Sequence, residues 1–394
     1  MNEHRPEVAD VFRQHGQEFL ARWGHTLNWQ QIKALRDIGA CQTWKLGAHV
    51  RQCDSCAQQI TAFNSCRNRH CPRCQSTARD RWLERTAREL LPVAYSHVVF
   101  TLPKQLSRLA LQNPALIYGL LFRAVSETLL TMAADPRRLG ASIGFLAVLH
   151  TWNQLLMHHP HLHCLVPAGG ISPDRRRWIA SQPKYFLNVD ALGAMFRGKF
   201  IAFLRDAYGK GKLRLAGALK PLTSRTTFDR FTLDLKELKW VVYAKPPFAG
   251  PAHVVKYLAR YTHRVAIANG RILSFADGRI TFRWRDSAHG NKQKVMTFDA
   301  IEFIRRFLTH VLPCGFVKIR HYGFLANGVR GVRLKLCRLL LPPVLPAPDS
   351  TTPEQHRALR RACPACGVGR MLVIGIIPAT TLLAMSTVPE VNTS

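Results

Sequence analysis

The chain has 394 residues, of which 47% are hydrophobic and 20% are charged, so it can bury a sizeable core. This composition excludes a disordered or collagen-like chain. Lysine and arginine number 56 against 24 acidic residues, giving a formal net charge of +32. Such a surplus predicts a polyanionic partner, which is either a nucleic acid or a membrane surface.

The apolar segments favour nucleic acid. The longest of them, Met371 to Val388, is interrupted by Pro378 and by threonine and serine, and it is shorter than the ~20 apolar residues of a spanning helix. The first ten residues lack the apolar core of a signal peptide. We therefore expect no transmembrane helix, no membrane partner and a cytoplasmic location. Eleven cysteines in a cytoplasmic chain indicate metal ligation and not disulfides.

Four segments follow from the distribution of apolar residues and cysteines. Residues 1–40 have helical spacing, 41–92 hold six of the eleven cysteines, 93–330 alternate strands with helices, and 331–394 form a weakly structured tail with one CxxC pair. The interleaved strands and helices predict an α/β or α+β domain. The predicted elements are, in chain order, helix 76–91, strand 97–102, helix 116–132, strands 144–149 and 162–166, an amphipathic segment 191–208, strand 240–244 followed by a proline-rich breaker at 246–251, a helix to about 267, and strands 271–275 and 279–284 around Asp277-Gly278.

The cysteine-rich segment has the spacing of zinc ligands. Two CxxC pairs are separated by 14 residues, so that each pair can occupy two corners of a tetrahedral ion. Four thiolates leave no open coordination position, which makes the zinc structural and not catalytic. The primary set predicted on this basis is Cys53, Cys56, Cys71 and Cys74. A second set, able to hold another zinc ion or to exchange with the first, is Cys41, His49, Cys66 and His70.

Three arginines lie inside this ligand framework, at Arg67, Arg69 and Arg73. Guanidinium groups fixed on a small metal-stabilised module are suited to phosphate contacts. We therefore predict that residues 41–92 form a zinc-dependent DNA-binding domain. The alternative is an ordinary solvated basic surface.

A histidine-rich strand, HHPHLHCLV, forms the second constellation. Because side chains alternate along a strand, His161 and His163 share one face and their imidazoles can converge on one divalent cation. Gln154 is the predicted third ligand, through an oxygen suited to a hard ion, with His159 and His150 as competitors. The alternative is a pair of surface histidines without a metal.

The third constellation is KYLARYTHR. Tyr257 and Tyr261 are four residues apart, so both phenols project from one face of the predicted helix. Taken alone, such a pair is more typical of core packing. The basic neighbours Lys256, Arg260 and Arg264 favour a role in DNA chemistry over core packing, because they would place cations beside a phosphate that approaches the phenols.

These constellations combine into one mechanistic hypothesis. A divalent ion on the histidine pair would polarise a scissile phosphate, and one phenol would attack it in line. The products are a 5′-phosphotyrosyl linkage and a free 3′-hydroxyl, so that rejoining to another strand remains possible. A second tyrosine would allow a second cleavage before the first linkage is resolved.

The three motifs resemble a known family. The runs C-x2-C-x9-C-x3-H-C-P-x-C, LHTWNQ-x4-HPHLHCLVPAGG and YLARYTHRVAI, in this order, resemble those of the insertion sequence 91 type transposases, bacterial members of the HUH endonuclease superfamily that move DNA by a rolling-circle route. The resemblance covers about Cys41 to Leu325. It implies an α+β fold, with a small N-terminal zinc-binding domain and a catalytic domain whose central antiparallel sheet is flanked by helices.

The resemblance also implies single-stranded DNA as substrate, structural Zn²⁺ and catalytic Mg²⁺ or Mn²⁺. By position, His161 and His163 match the paired histidines of the family, and Tyr257 and Tyr261 match its tyrosines. A plasmid replication initiator or relaxase would use the same residues, but the cysteine module favours a transposase. A non-catalytic zinc-dependent DNA-binding regulator would leave the histidine and tyrosine motifs unexplained.

Overall fold

The computed structural model describes residues 5–181, 188–248, 254, 266–286, 289–342 and 362–380, without the side chains of 77–78 and 245–248. Its helices are α1 Val8–Trp23, α2 Trp29–Ala40, α3 Pro72–Glu89, α4 Ser107–Gln112, α5 Pro114–Ala134, α6 Val189–Gly209, α7 Arg225–Glu237, α8 Ala300–Leu308 and α9 Arg330–Leu340. Its strands are β1 Ala48–Cys53, β2 Gln59–Phe63, β3 Tyr95–Thr101, β4 Gly144–Trp152, β5 His158–Pro167, β6 Gly169–Ile171, β7 Trp178–Ala180, β8 Val242–Phe248, β9 Ile272–Ala276, β10 Arg279–Asp286, β11 Lys292–Asp299, β12 Ile319–Gly323 and β13 Met371–Ile377.

Two compact units divide the chain, and each is assembled from separated stretches. The first consists of residues 1–78, 267–308 and 345–394, and the second of residues 79–266 and 309–344. This division differs from the linear segments 1–40, 41–92, 93–330 and 331–394 predicted from the sequence, because residues 267–308 join the N-terminal helices. The contact responsible includes Phe12 of α1, whose ring meets that of Phe307 in α8 edge to face at 5.1 Å.

The first unit contains two antiparallel three-stranded sheets, with strand orders β13-β1-β2 and β11-β10-β9. The predicted hairpin at Asp277-Gly278 is confirmed, since both residues have the positive φ angles, 51° and 68°, that such a tight turn requires. The described part of the tail, residues 331–342 and 362–380, contains regular structure where a weakly structured segment was predicted. It contributes β13, which pairs antiparallel with β1 from Cys53↔Met371 to Ala48↔Ile377.

The second unit is built on a five-stranded sheet in the order β12-β4-β5-β3-β8, in which every neighbouring pair is antiparallel. Helices α4 to α7 pack on one face of it and complete the main core, as Phe100 of β3 against Phe196 of α6 illustrates. The predicted α+β class, with a central antiparallel sheet and flanking helices, is confirmed. The prediction of a proline-rich breaker at 246–251 is wrong for residues 246–248, because β8 extends to Phe248 as an edge strand, where proline is tolerated.

Helix α5 is long and apolar enough to cross a membrane by length and composition alone. Its apolar side chains are used inside the second unit instead. Ile117, Leu121, Phe122 and Val125 are fully buried in the core against the sheet. Burial within the protein therefore accounts for the composition of this helix.

The opposite face of the five-stranded sheet carries a smaller apolar cluster. Tyr95, Leu146, Val148 and Leu165 are buried there, together with Val254. Trp82 and Leu83 of α3 pack against the same cluster. We call this side the histidine face, because residues 161 and 163 of β5 point to it together with Leu165.

Candidate functional site

Three adjacent strands bring four histidines together on the histidine face. His161 and His163 lie two residues apart on β5, so alternation gives them the same direction. The register of β4 and β5 places His150 directly opposite His161. His97 comes from β3, on the other side of β5.

The imidazoles are close enough to share a ligand. The Nε2 atoms of His161 and His163 are 3.1 Å apart. The ring centroid of His150 lies 4.4 Å from that of His163 and 5.4 Å from that of His161. One ring nitrogen from each of these three residues lies within 4.8 Å of the other two, which makes them a candidate metal-binding triad.

Burial keeps the rings of His161 and His163 neutral. It lowers the pKa of His161 to about 4. The pKa of His163 lies well below its usual value, first because the ring is buried and then because His150, His161 and His97 surround it. A neutral imidazole offers a nitrogen lone pair, which a metal ion requires.

Backbone and side-chain partners fix the orientation of both rings. The Nδ1 atom of His161 lies 2.7 Å from the carbonyl oxygen of His159, so Nδ1–H donates to that carbonyl and Nε2 is left as a ligand atom. The Nδ1 atom of His163 lies 2.9 Å from Nε2 of His97. When Nδ1–H of His163 donates to His97, the Nε2 lone pair of His163 faces that of His161.

The distance between the Nε2 atoms of His161 and His163 fits two ligands of one divalent ion. Two ligands at right angles, ~2.1 Å from an octahedral ion, are ~3.0 Å apart. Two nitrogen ligands on a tetrahedral zinc ion are ~3.4 Å apart. The observed 3.1 Å lies nearer to the octahedral value, so His161 and His163 fit two adjacent corners of such an ion.

Of the three candidates for the third ligand, His150 lies in the triad. Gln154 is exposed in the turn between β4 and β5, and its assignment as a ligand stays a prediction. The carbonyl oxygen of His159 accepts a hydrogen bond from Nδ1–H of His161, and the ring centroids of the two residues are 5.3 Å apart. The sequence argument named His150 only as a competitor, because register between strands cannot be read from one strand.

His158 has a structural role in spite of its place in the motif. Its Nδ1 lies 2.6 Å from Ser107 Oγ, and its Nε2 lies 2.9 Å from the Tyr118 hydroxyl oxygen. Burial, assisted by His310 and His159, lowers its pKa to about 3. Both ring nitrogens are engaged by the helices on the core side, so His158 is separate from the triad.

The predicted tyrosines Tyr257 and Tyr261, and the cations Lys256, Arg260 and Arg264, lie outside the described residues. Val254, three residues before Tyr257, is described. Val254 is fully buried and packs in the cluster of the histidine face. Val254 therefore lies on the same side of the sheet as the triad.

Eight of the eleven cysteines form two clusters of four. The first contains Cys41, Cys66, Cys71 and Cys74. Three Sγ–Sγ distances, from Cys41 to Cys74, from Cys66 to Cys74 and from Cys71 to Cys41, are each 3.7 Å. Four thiolates around a tetrahedral zinc ion at ~2.3 Å are ~3.8 Å apart, so this donor set fits zinc.

The predicted primary set of Cys53, Cys56, Cys71 and Cys74 is wrong in its grouping. Cys53 lies at the turn end of the β1–β2 hairpin, whereas the chain leaves β2 at the other end, where Cys66, Cys71 and Cys74 follow. Because β1 is about 17 Å long, at ~3.3 Å per residue, one ion cannot span both ends. Cys53 and Cys56 instead meet Cys363 and Cys366 of the C-terminal segment.

Of the second predicted set, Cys41 and Cys66 lie in the first cluster, together with Cys71 and Cys74 of the predicted primary set. His49 and His70 belong to neither cluster within the described part of the chain. The ring of His49 is 3.0 Å from Asn64 Oδ1, and that of His70 is 3.3 Å from Asn68 Oδ1. The C-terminal CxxC was visible in the sequence, but nothing local showed which cysteines it would meet.

The predicted phosphate-binding arginines differ in their surroundings. Arg67 is exposed and has a positive φ of 54°, directly after Cys66. Arg73 pairs with Glu7 at 2.8 Å and also contacts Gln42, so its guanidinium group contributes to the fold of this unit. The phosphate contacts of Arg67, Arg69 and Arg73 stay a prediction.

Comparison with known proteins identifies the class. The family described as "Putative transposase" matches residues 144–333, and the "Transposase zinc-binding domain" matches residues 11–102. The chain is 52% identical over 386 residues to "Putative transposase y4qJ" of Sinorhizobium fredii, which covers 95% of this chain and 96% of that protein. It is 27% identical over 345 residues to the transposase for insertion sequence element IS801 of Pseudomonas savastanoi pv. phaseolicola, with 84% and 78% covered.

No solved structure matches the chain. The matched families define a transposase with a zinc-binding domain. The chain belongs to the insertion sequence 91 type transposases, as its motifs indicated.

Proposed function

We propose that this transposase nicks and rejoins single-stranded DNA through a 5′-phosphotyrosine intermediate, and so drives rolling-circle transposition of an insertion sequence. The observation that carries the proposal is the triad of His150, His161 and His163 on the histidine face. Neutral imidazoles of His161 and His163 beside the ring of His150, at this spacing, support a metal site over a set of surface histidines. The protein partners of His161 and His163 orient their rings toward that site.

Mg²⁺ or Mn²⁺ is the ion we propose for this site. When bound, it would supply Lewis-acid polarisation of the scissile phosphate. His161 and His163 would hold it through Nε2, with His150 as the third protein ligand. The carbonyl of His159 and the ring of His97 position the two Nε2 atoms, as the 2.7 and 2.9 Å contacts indicate.

Tyr257 and Tyr261 are the proposed nucleophiles. Val254, three residues before Tyr257, is buried on the histidine face, and three residues of chain span at most about 11 Å. Chain connectivity therefore supports a phenol near the triad. In the reaction, a phenolic oxygen forms a bond to phosphorus, the bond from phosphorus to O3′ breaks, and the 3′-hydroxyl leaves. Attack by another 3′-hydroxyl on the phosphotyrosine reverses the step and joins a new strand.

Single-stranded DNA is the proposed substrate. The net charge of +32 supports tight, salt-sensitive phosphate binding. The exposed Arg67 on the zinc module and the cations of the tyrosine motif, Lys256, Arg260 and Arg264, are the proposed phosphate contacts.

The direct test is the covalent intermediate. The purified protein is incubated with labelled single-stranded DNA bearing the ends of the element, with Mn²⁺, and the products are separated in SDS. We expect a protein–DNA adduct in the wild type. It should be lost in the Tyr257→Phe, Tyr261→Phe double variant and in the His161→Ala, His163→Ala double variant.

Two matched controls make the assignment specific. Tyr243 on β8 is also an exposed phenol of the histidine face, because Val99 pairs with both His163 and Tyr243. We expect Tyr243→Phe and His159→Ala to keep the adduct. An adduct that needs Tyr243 but not the two motif tyrosines would overturn the assignment, and DNA binding without any adduct would show a non-catalytic regulator.

A further inference from the structure

The C-terminal CxxC pair meets an N-terminal CxxC pair that lies more than 300 residues earlier. Cys53 Sγ lies 3.8 Å from Cys366 Sγ, and Cys56 Sγ lies 3.6 Å from Cys363 Sγ. All four sulfurs lie within 4.8 Å of one another. We propose that Cys53, Cys56, Cys363 and Cys366 bind a second structural zinc ion, which fastens the C-terminal segment to the N-terminal zinc module.

The sulfur spacing supports zinc. Edges of a tetrahedral zinc–thiolate site are ~3.8 Å long, and the two cross-pair distances of 3.8 and 3.6 Å agree with that length. Within the cluster, Cys53 and Cys363 are buried, Cys366 is half-buried and Cys56 is exposed. The residues matched by the zinc-binding family end at 102, so the two C-terminal ligands lie outside that match.

Each CxxC pair is folded into the same kind of sulfur-binding turn. The backbone N–H groups of Ser55 and Cys56 lie 3.4 Å from Cys53 Sγ. In the C-terminal pair, the N–H of Ala365 lies 3.4 Å from Cys363 Sγ, and the N–H of Gly369 lies 3.3 Å from Cys366 Sγ. Donors aimed at sulfur stabilise thiolates, the form that binds zinc.

Backbone contacts hold the two turns face to face. Cys53 ends β1 and pairs with Met371, which begins β13, so both turns lie at the same end of this strand pair. The N–H of Arg370 donates to Asp54 Oδ1 at 2.7 Å, and the N–H of Asp54 donates to the carbonyl of Arg370 at 3.1 Å. A Cβ atom at Gly369 would overlap Cys53 Sγ, so the close approach of the two turns requires glycine at that position.

The proposed site has a clear structural consequence. Zinc at this position would join two turns that are about 310 residues apart in the chain. Holding the ends of so long a loop together costs chain entropy, and the zinc–sulfur bonds would offset that cost. The metal therefore contributes to keeping β13 on the edge of β1. The first cluster, at the other end of the β1–β2 hairpin, shares no ligand with it, so the two ions should bind independently.

Zinc counting on the full chain tests the proposal. The protein is purified with zinc, freed of loosely bound metal and measured by elemental mass spectrometry against protein concentration. We expect about two zinc ions per chain in the wild type and about one in the Cys363→Ser, Cys366→Ser variant. Cys71→Ser, Cys74→Ser should also retain about one. Cys314→Ser, which alters an exposed cysteine outside both clusters, should retain both.

A His161→Ala, His163→Ala variant is measured in parallel, so that zinc held by the triad is not counted as the second site. One zinc ion in the wild type after this correction would overturn the proposal. Two ions in the Cys363→Ser, Cys366→Ser variant would overturn it as well.

Cysteine alkylation of the wild type gives a result that does not depend on the folding of a variant. The zinc-loaded protein is treated briefly with iodoacetamide, and the modified peptides are quantified by mass spectrometry. We expect Cys314 to react at once, while Cys56 and Cys366 react at least tenfold more slowly until a chelator is added. If Cys366 reacts as fast as Cys314 in the zinc-loaded protein, no ion is bound at this cluster.

Discussion

The Nδ1 atom of His163 lies 2.9 Å from the Nε2 atom of His97, which comes from the neighbouring strand β3. Their rings are stacked at 5.1 Å between centroids with only 10° between the planes. The motif contains His163 but gives no sign of His97, which lies 66 residues earlier. This contact selects which nitrogen of His163 faces the proposed metal.

We expect His97→Ala to weaken metal binding without removing a ligand. Loss of an outer-shell partner of a metal-binding histidine typically costs ~10 to 100-fold in metal affinity. Adduct formation measured against Mn²⁺ concentration should shift by that factor and recover at saturating metal. His97→Gln, whose amide oxygen can accept the N–H of His163, should restore part of the affinity. A loss of activity that saturating Mn²⁺ does not reverse would contradict this positioning role.

The third metal ligand can be decided by a pair of substitutions. We expect His150→Ala to reduce Mn²⁺ affinity by more than the ~10 to 100-fold typical of an outer-shell partner, because it removes a nitrogen of the triad. Gln154→Ala should change the affinity little, since Gln154 is exposed in the turn. Titration calorimetry with Mn²⁺ measures both. The opposite ranking would restore Gln154 as the ligand.

Buried His158 should make the protein sensitive to acid. Its folded pKa of about 3 is below the ~6.5 of the unfolded chain, so the unfolded state binds a proton first as pH falls. The contribution of His158 to the free energy of unfolding is therefore complete above pH ~6.5. It falls as the pH drops toward 3, by up to about 1.4 kcal/mol per pH unit.

Urea unfolding from pH 7 to pH 4 measures this slope. We expect His158→Gln to reduce the slope of the unfolding free energy against pH by the equivalent of about one bound proton. The variant should also be less stable at pH 7, because the contacts to Ser107 and Tyr118 change. An unchanged slope would show that His158 does not remain neutral in the folded protein.

Two glycine-to-alanine substitutions should have opposite effects on stability. Gly323 ends β12 with φ of 60°, and a Cβ there would overlap the carbonyl oxygen of Ile143, so Gly323→Ala should cost at least ~1 to 3 kcal/mol. Gly198 lies inside α6 with open space where an added methyl group would lie, so Gly198→Ala should stabilise by about 0.5 to 1 kcal/mol. Thermal unfolding compares the two. Equal effects would contradict the backbone assignment at Gly323.

Local features of this protein were legible in the sequence. Alternation along one strand was sufficient to place His161 and His163 together, since neighbours two apart on a strand share a face whatever surrounds them. Local apolar patterns also predicted helices at α3 and α5, an amphipathic segment at α6 and strands at β3, β4 and β5. Paired CxxC spacing predicted metal ligation because two thiolates three residues apart can bind one ion.

Relationships between distant segments were decided by the tertiary structure. His150 joins His161 because β4 and β5 pair in one register, and a shift of one residue would turn His150 to the other face. Cys53 and Cys56 were predicted to meet Cys71 and Cys74, only 14 residues on, yet the hairpin between them sends the two pairs to opposite ends. The sequence determined which side chains can bind metal, whereas strand register and pairing across the chain decided which of them meet.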